Sequence, residues 1–242
     1  MNDKEKNDFL FDLNIYKLEN GIIPIDICKY IIYCLLQHND FYEIIECILC
    51  DFAKGIEIKN GITDVHNFVE IDDDMISING MFRIKKNKRQ YVLLREKLIK
   101  DFSKDNIKIL ETIYHEIEHV IQHKDIRDEK WTGNRFKMYI EEKILAKKIK
   151  NYDDLNYYNK YTEIEARNAG AVHTKELINE LNINWDELYM EREGKKEKAL
   201  ICINSRIEEC KEILKEADLK YITDDRKKEN LMEYYKKVSE NN

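Results

Sequence analysis

Hydrophobic positions change their spacing along the chain, and the change separates helical from strand-forming regions. In residues 1–54 apolar side chains recur every three or four positions, which predicts amphipathic helices. Pro24 is suited to the first turn of one helix, and Asp40 is a candidate N-cap for the next. Gly55 is the expected stop of that second helix.

A strand-like pattern follows from Gly55 to about Leu94. Short β-prone runs alternate there with turn-forming residues such as Asn79-Gly80, which predicts a small antiparallel sheet. The runs are 56–58, 68–71, 75–78 and 91–94.

The remaining chain returns to helical spacing at about 104–124, 135–150, 163–181, 184–193 and 196–218. Seven Gly and one Pro in 242 residues also favour a mainly helical protein. We expect an α+β fold that is mainly helical with a small antiparallel sheet. Its parts are an N-terminal helical extension (1–54), a core (55–181) and a C-terminal helical extension (182–242), packed as one compact unit.

Composition narrows the functional classes. A net charge of −7 without a clustered cationic face argues against nucleic-acid binding. No apolar run approaches the roughly 18 residues that span a bilayer, and the N-terminus lacks a signal-peptide pattern. We therefore expect a cytoplasmic protein with no membrane partner. The CxxC pair Cys47 and Cys50 lies in an apolar helical pattern, so we interpret the cysteines as buried reduced thiols without disulfides; they stand at 28, 34, 47, 50, 202 and 210.

The segment 110–123 carries the clearest chemical signal, the motif His115-Glu116-x-x-His119 on an amphipathic helical pattern. One helical turn separates the two histidines, so both imidazoles can bind a single zinc ion (Zn2+) at about 2.0–2.1 Å. Glu116 is then placed to act as general base on a water molecule. The alternative interpretation is a solvated His/Glu face. His123 lies about 12 Å from His115 along the axis, too far to share one metal ion.

A third ligand is expected downstream, where residues 161–168 open another helix. Here the chain resembles the gluzincin zinc metallopeptidases, and within them the ImmA/IrrE-like and phage-type minimal proteases, over about residues 65–175. The resemblance implies a zincin-like fold, Glu163 as third metal ligand and Ala166 as the small residue of an E-x-x-A pattern. Arg167 departs from that pattern, since an Asp or Asn is expected there.

Glu163 and Glu165 compete for the third-ligand role. Two residues apart on a helix, they point about 200° from each other, so only one can face the metal. Thr162 and Glu165 also fit a capping box, which leaves Glu163 free. We favour Glu163 and keep Glu165 as the alternative.

Other residues have weaker signals. Candidate donors to an oxyanion are Tyr157, Tyr158, Tyr161 and His173. Glu118 and Gln122 are candidates for helix surface or for support of the ligands.

The sequence thus predicts a zinc-dependent endopeptidase acting on a protein or peptide substrate, with a cytosolic protein such as a transcriptional repressor implied by the resemblance. One alternative is an inactive zincin-like regulatory or binding protein. Another is a helical interaction protein in which the motif is accidental and Glu163 lies more than roughly 8 Å from the histidines. The sequence does not fix the oligomeric state.

Overall fold

The computed structural model describes residues 2–38, 41–70, 79–84, 89–100, 106–128, 138 and 160–183. This part of the chain is mostly helical with a small three-stranded mixed sheet, so the α+β class is confirmed. Predictions that fall outside it concern Asp40, the run 75–78, Tyr157, Tyr158, Cys202, Cys210, nearly all of the helix at 135–150 and almost the whole C-terminal extension.

Most described helices lie in the predicted helical regions; the exceptions are the short helix at 96–100, which was not predicted, and the last turn of the helix that ends at Lys59. The described helices are α1 (Asp3–Asn20), α2 (Ile25–His38), a 3-10 turn (Tyr42–Ile44), α3 (Ile45–Lys59), α4 (Glu96–Lys100), α5 (Asn106–Arg127) and α6 (Tyr161–Glu180). None of them is both long and apolar enough to cross a membrane.

Helix α3 corrects the prediction that Gly55 ends a helix and that a strand begins at residue 56. Gly55 is buried inside α3, where an added Cβ would come within 2.8 Å of Ile25 Cβ, so its role is to let α2 approach. The helix ends after Lys59, and Gly61 adopts a left-handed φ of 68° that allows Ile62 N–H to bond Glu57 C=O. The division drawn after residue 54 falls inside this helix.

The sheet corrects the expectation of purely antiparallel pairing. Its strands β1 (Val65–Glu70), β2 (Gly80–Ile84) and β3 (Gln90–Arg95) lie in the order β1-β3-β2. β2 pairs antiparallel with β3, whereas β1 pairs parallel with β3. β2 also begins at the Gly80 that was predicted to be a turn residue.

The main core lies where α2, α3, α5 and α6 meet β3. Ile32, Phe52, Leu94 and Ile113 are among its fully buried side chains. Burial of such side chains supplies about 1.5–3 kcal/mol each. Helix α5 packs along α6 on one side and against β2, β3 and α3 on others, which fixes its position in the protein.

Candidate metal centre

Helix α5 has an apolar face in the core and a second row of buried polar side chains. Ile113, Ile117 and Val120 are almost fully buried, as the helical spacing predicts. Glu116 and Glu118 are only 5% and 9% exposed, so the motif does not form the solvated His/Glu face of the alternative interpretation. Burying a carboxylate is costly unless it is paired, so both of these carboxylates need partners close by.

Helix α6 lies close to α5 because small residues face it. Ala166 is fully buried, and a Cβ on Gly170 would come within 2.7 Å of the Glu111 carbonyl oxygen and 3.6 Å of His115 Cβ. A larger residue at position 170 would push α6 away from the histidines.

The N-terminus of α6 corrects the predicted capping box. The helix begins at Tyr161, and its N-cap is Lys160 in an extended conformation without a side-chain capping bond. Thr162 is therefore already helical and is not the cap. The backbone C=O of Thr162 and the carboxylate of Glu165 both accept from Gln122 Nε2, at 3.0 and 3.3 Å.

The structure brings His115, His119 and Glu163 together. The two Nε2 atoms are 3.1 Å apart, and the imidazole planes are nearly perpendicular at 89°. One carboxylate oxygen of Glu163 lies 3.5 Å from His115 Nε2 and the other lies 3.4 Å from His119 Nε2. Ligands at 2.0–2.1 Å in a tetrahedron stand about 3.3 Å apart, close to all three distances.

This group is the one set of three or more His, Cys, Asp or Glu side chains, among the residues that the structure describes, with the spacing to hold a metal ion. The short distances also oppose the accidental-motif interpretation, which places Glu163 far from the histidines.

Electrostatics of the group follow from burial and close pairing. Burial by itself would raise the pKa of Glu163, but hydrogen bonds from His115 and His119 hold that pKa well below its usual range. Burial opposes charge on His119, yet its interactions with Glu163 raise the pKa of His119 to about 9. A divalent cation competes with protons for the same imidazole lone pairs and carboxylate.

Gln122 fixes the orientation of His119. Because its Nε2 donates to the Thr162 carbonyl, its Oε1 faces His119 Nδ1 at 3.0 Å and can only accept. His119 Nδ1 must therefore carry a hydrogen, which leaves Nε2 to bind a metal ion. Gln122 is 2% exposed and links α5 to α6, so it supports the ligand and both helices at once.

Glu116 lies at the edge of the group, with Oε1 4.0 Å from His115 Nε2. Burial raises the pKa of Glu116, while the imidazoles and a hydrogen bond from the Phe82 backbone N–H oppose that rise. β2 holds the side chain closely, since a Cβ on Gly80 would come within 2.8 Å of Glu116 Cγ. The carboxylate is thus positioned between strand and histidines.

Several weaker candidates lie elsewhere. His173 is exposed and bonds Glu176 at 2.8 Å, about 15 Å along α6 from Glu163. Tyr161 is buried beside Ile126 and Met138. His123 packs against the Phe82 ring and is not in the ligand group.

Three residues that shape the candidate metal centre are not predicted, or only partly predicted, from the sequence. Gly80 and Gly170 act through close backbone approach, and Gln122 was not distinguished from Glu118. For Gln122 a usable signal existed, because it lies three residues after His119 and faces the same side of the helix. The glycines carried no such signal, because the contacts they permit are with distant segments.

In comparisons with protein-family models, curated proteins and solved structures, nothing matches the chain. The resemblance to gluzincins therefore depends on the motif residues alone.

Proposed function

We propose that the protein is a zinc-dependent endopeptidase of the gluzincin kind. The observation that supports it most is the convergence of His115, His119 and Glu163 from two helices at ligand spacing, with the buried Glu116 carboxylate beside them. Two imidazoles and one carboxylate match the ligand set of catalytic zinc sites that keep a coordination position open.

Each residue has a distinct role in the proposed reaction. His115, His119 and Glu163 hold the ion, while Gln122 keeps the His119 ring oriented. When bound, zinc supplies Lewis acidity that polarises a carbonyl group and makes a water molecule more acidic. Glu116 takes a proton from the attacking water at its carboxylate and returns it to the departing amine.

Solvent access is compatible with a substrate reaching this group. The side chains of His115 and His119 are 21% and 15% exposed, whereas those of Glu116 and Glu163 are nearly closed to solvent at 6% and 8%. The imidazoles are therefore the more open part of the group, and we propose that a substrate meets them first. By resemblance to ImmA/IrrE-like proteases, the proposed substrate is an intracellular protein.

The decisive experiment compares the wild type with Glu116→Gln. Both proteins are loaded with zinc, their metal content is measured, and cleavage of a peptide library is followed with and without chelator. We expect Glu116→Gln to keep one zinc per chain and lose about 10²–10⁴-fold in cleavage rate, which is the usual contribution of a general base. Glu176→Gln makes the same charge change at an exposed position of α6 and serves as the control.

Each other outcome has a defined meaning. Undiminished cleavage by Glu116→Gln would remove Glu116 as the base. Stoichiometric zinc in a wild type that cleaves no peptide would favour the inactive regulatory protein. A wild type that binds no zinc would overturn the metal assignment itself.

A further inference from the structure

A second polar cluster lies between α1 and α3, away from the candidate metal centre. Lys17 Nζ is 2.7 Å from Cys47 Sγ and 2.8 Å from Asp51 Oδ2. Lys17 and Cys47 are 30 residues apart in sequence, so the fold brings them together.

The contact between nitrogen and sulfur is unusually close. N–H···O hydrogen bonds have lengths of about 2.7–3.2 Å, and sulfur is a larger atom than oxygen. Lys17 Nζ and Cys47 Sγ are therefore separated by about the distance between two atoms bonded to one bridging oxygen.

Asp51 holds the amine in this position. Its Oδ2 accepts from Lys17 and also from the Ile23 backbone N–H at 3.1 Å, so the carboxylate is fixed to the backbone between α1 and α2. Burial opposes the charge of Lys17, but hydrogen bonds to Asp51 and Cys47 raise the pKa of Lys17. The amine is thus kept beside the sulfur by a partner that does not itself react.

Cys47 differs from the neighbouring thiols. Like Cys50 it is half-buried, but the partly exposed side chain of Lys17 (33%) lies beside it, so the pair borders the solvent from which a small oxidant arrives. Burial raises the pKa of Cys28 and of Cys50 to about 12 and makes both poor nucleophiles. Reactive protein thiols typically lie beside a cationic side chain, and Cys47 has such a contact with Lys17 Nζ 2.7 Å from its Sγ.

We propose that Lys17 and Cys47 form an oxidative modification site, at which peroxide joins Nζ to Sγ through one oxygen atom. The thiol, the neutral amine and two hydrogen peroxide molecules give the S–O–N bridge and three water molecules. The S–H bond, one N–H bond and two peroxide O–O bonds break, while one S–O bond, one O–N bond and, in net, two O–H bonds form. Sulfur and nitrogen each lose two electrons, the peroxides accept all four, and the extra proton of the ammonium passes to solvent.

The bridge would covalently attach α1 to α3. Two molecules of a dithiol reductant should reverse it. They supply four electrons and four protons, become disulfides, and leave the thiol, the amine and one water molecule that carries the bridging oxygen. The site would then be a reversible redox switch of the fold and is independent of the proposed peptidase activity.

Mass spectrometry of the full chain tests the proposal. After treatment with hydrogen peroxide, we expect a species with one oxygen more and two hydrogens fewer. Proteolytic mapping should place it between the peptides that contain Lys17 and Cys47, and dithiothreitol should remove it. It should be absent from Lys17→Arg, which keeps the charge beside Asp51, and from Cys47→Ser, but present in Cys50→Ser.

Thermal denaturation provides the second measurement. Peroxide should raise the melting temperature of the wild type and leave that of Lys17→Arg unchanged. The proposal is overturned by a loss of two hydrogens alone, which marks a disulfide or a direct N–S bond, by simple addition of whole oxygens at Cys47, or by an unmodified Lys17–Cys47 pair.

Discussion

Two polar clusters connect pairs of helices in this protein, and they differ in where the positive charge comes from. Between α1 and α3 the carboxylate of Asp51 is neutralised by the ammonium of Lys17, 2.8 Å away. Between α5 and α6 the carboxylate of Glu163 faces two imidazoles at 3.4–3.5 Å and is deeply buried. The first cluster has a permanent cation in the chain. The second has groups whose charge depends on protons or on an added ion.

This difference separates a buried carboxylate whose partner is already present from one that can accept an added ion. A permanent lysine partner makes an ion pair complete without any ligand, as at Asp51. Imidazoles at metal-ligand spacing instead leave the carboxylate available to a divalent cation. Glu57 is an intermediate case, since it is fully buried and its nearest cation, Lys54, is 3.4 Å away. Lys54 also donates to the carbonyls of Thr63 and Val65.

The largest expected effect is a loss of zinc binding when Glu163, the carboxylate without a lysine partner, is replaced. Glu163→Gln should lose stoichiometric zinc after dialysis, because the anionic ligand is removed from a three-residue set. Metal analysis and zinc-dependent thermal shifts measure it; at zinc 100-fold above its dissociation constant, binding should stabilise the wild type by about 2.7 kcal/mol. Glu165→Gln is the matched control and should keep its zinc. Zinc loss in Glu165→Gln alone would exchange the two roles.

The next largest effect should come from Glu57, whose carboxyl group makes the free energy of unfolding depend on pH. Burial raises the pKa of Glu57 from 4.5 to about 7, so the folded protein binds this proton more tightly than the unfolded chain. The stability that this carboxyl contributes is complete below about pH 4.5 and is lost as pH rises through about 7. At pH 8 the charged form should cost about 3 kcal/mol.

Urea denaturation at pH 5 and pH 8 tests this expectation. Glu57→Gln should lose less stability than the wild type between the two pH values, whereas the exposed Glu19→Gln should behave as the wild type. Equal pH dependence in wild type and Glu57→Gln would show that Lys54 compensates the charge fully.

Gln122→Ala should weaken zinc binding without removing it. Outer partners of metal ligands contribute about 10–100-fold to metal affinity, and Gln122 is the observed partner of His119 Nδ1. Chelator competition gives the dissociation constant, and the absorption spectrum of a cobalt-substituted sample reports ligand geometry. Asn179→Ala, at an exposed position of α6, is the control. An unchanged affinity and spectrum would mean that packing alone orients His119.

Without peroxide, Lys17→Met should have the smallest effect, which is a loss of folding stability alone. The ion pair with Asp51 is partly exposed, so its loss should destabilise the protein by about 1 kcal/mol. Zinc affinity should stay the same, because the cluster lies on other helices. Lys4→Met on α1 controls for the change in helix charge. A fall in zinc affinity in Lys17→Met would show that the two clusters are coupled.

Local patterns predicted much of the fold and the two histidines of the candidate metal centre, whereas Glu163 was implied by the family resemblance. The spacing of Ile113, Ile117 and Val120 defines α5, and a helix necessarily places His115 and His119 on one face. Helix rotation shows only that Glu163 and Glu165 cannot both face the metal. The preference for Glu163 came from the family resemblance and from a capping box that the structure does not contain.

What the sequence could not predict depends on contacts between distant segments. β1 pairs with β3 in parallel, and the sequence does not show this because the candidate partner strands have similar local patterns. Glycine is a residue type that often ends a helix. Gly55 nevertheless lies inside α3, because Ile25 occupies the space that a side chain at this position would need. Lys17 and Cys47 gave no local signal of their contact for the same reason.

Gly80 and Gly170 have a consequence for how related chains should be recognised. A side chain at position 80 would collide with Glu116, and one at position 170 would collide with the backbone of α5. A distant relative can differ almost everywhere else. It should still have a glycine before the paired histidines and a second glycine seven positions after the glutamate that corresponds to Glu163. A search pattern that requires both glycines would therefore be more selective than the five-residue motif of residues 115–119 alone.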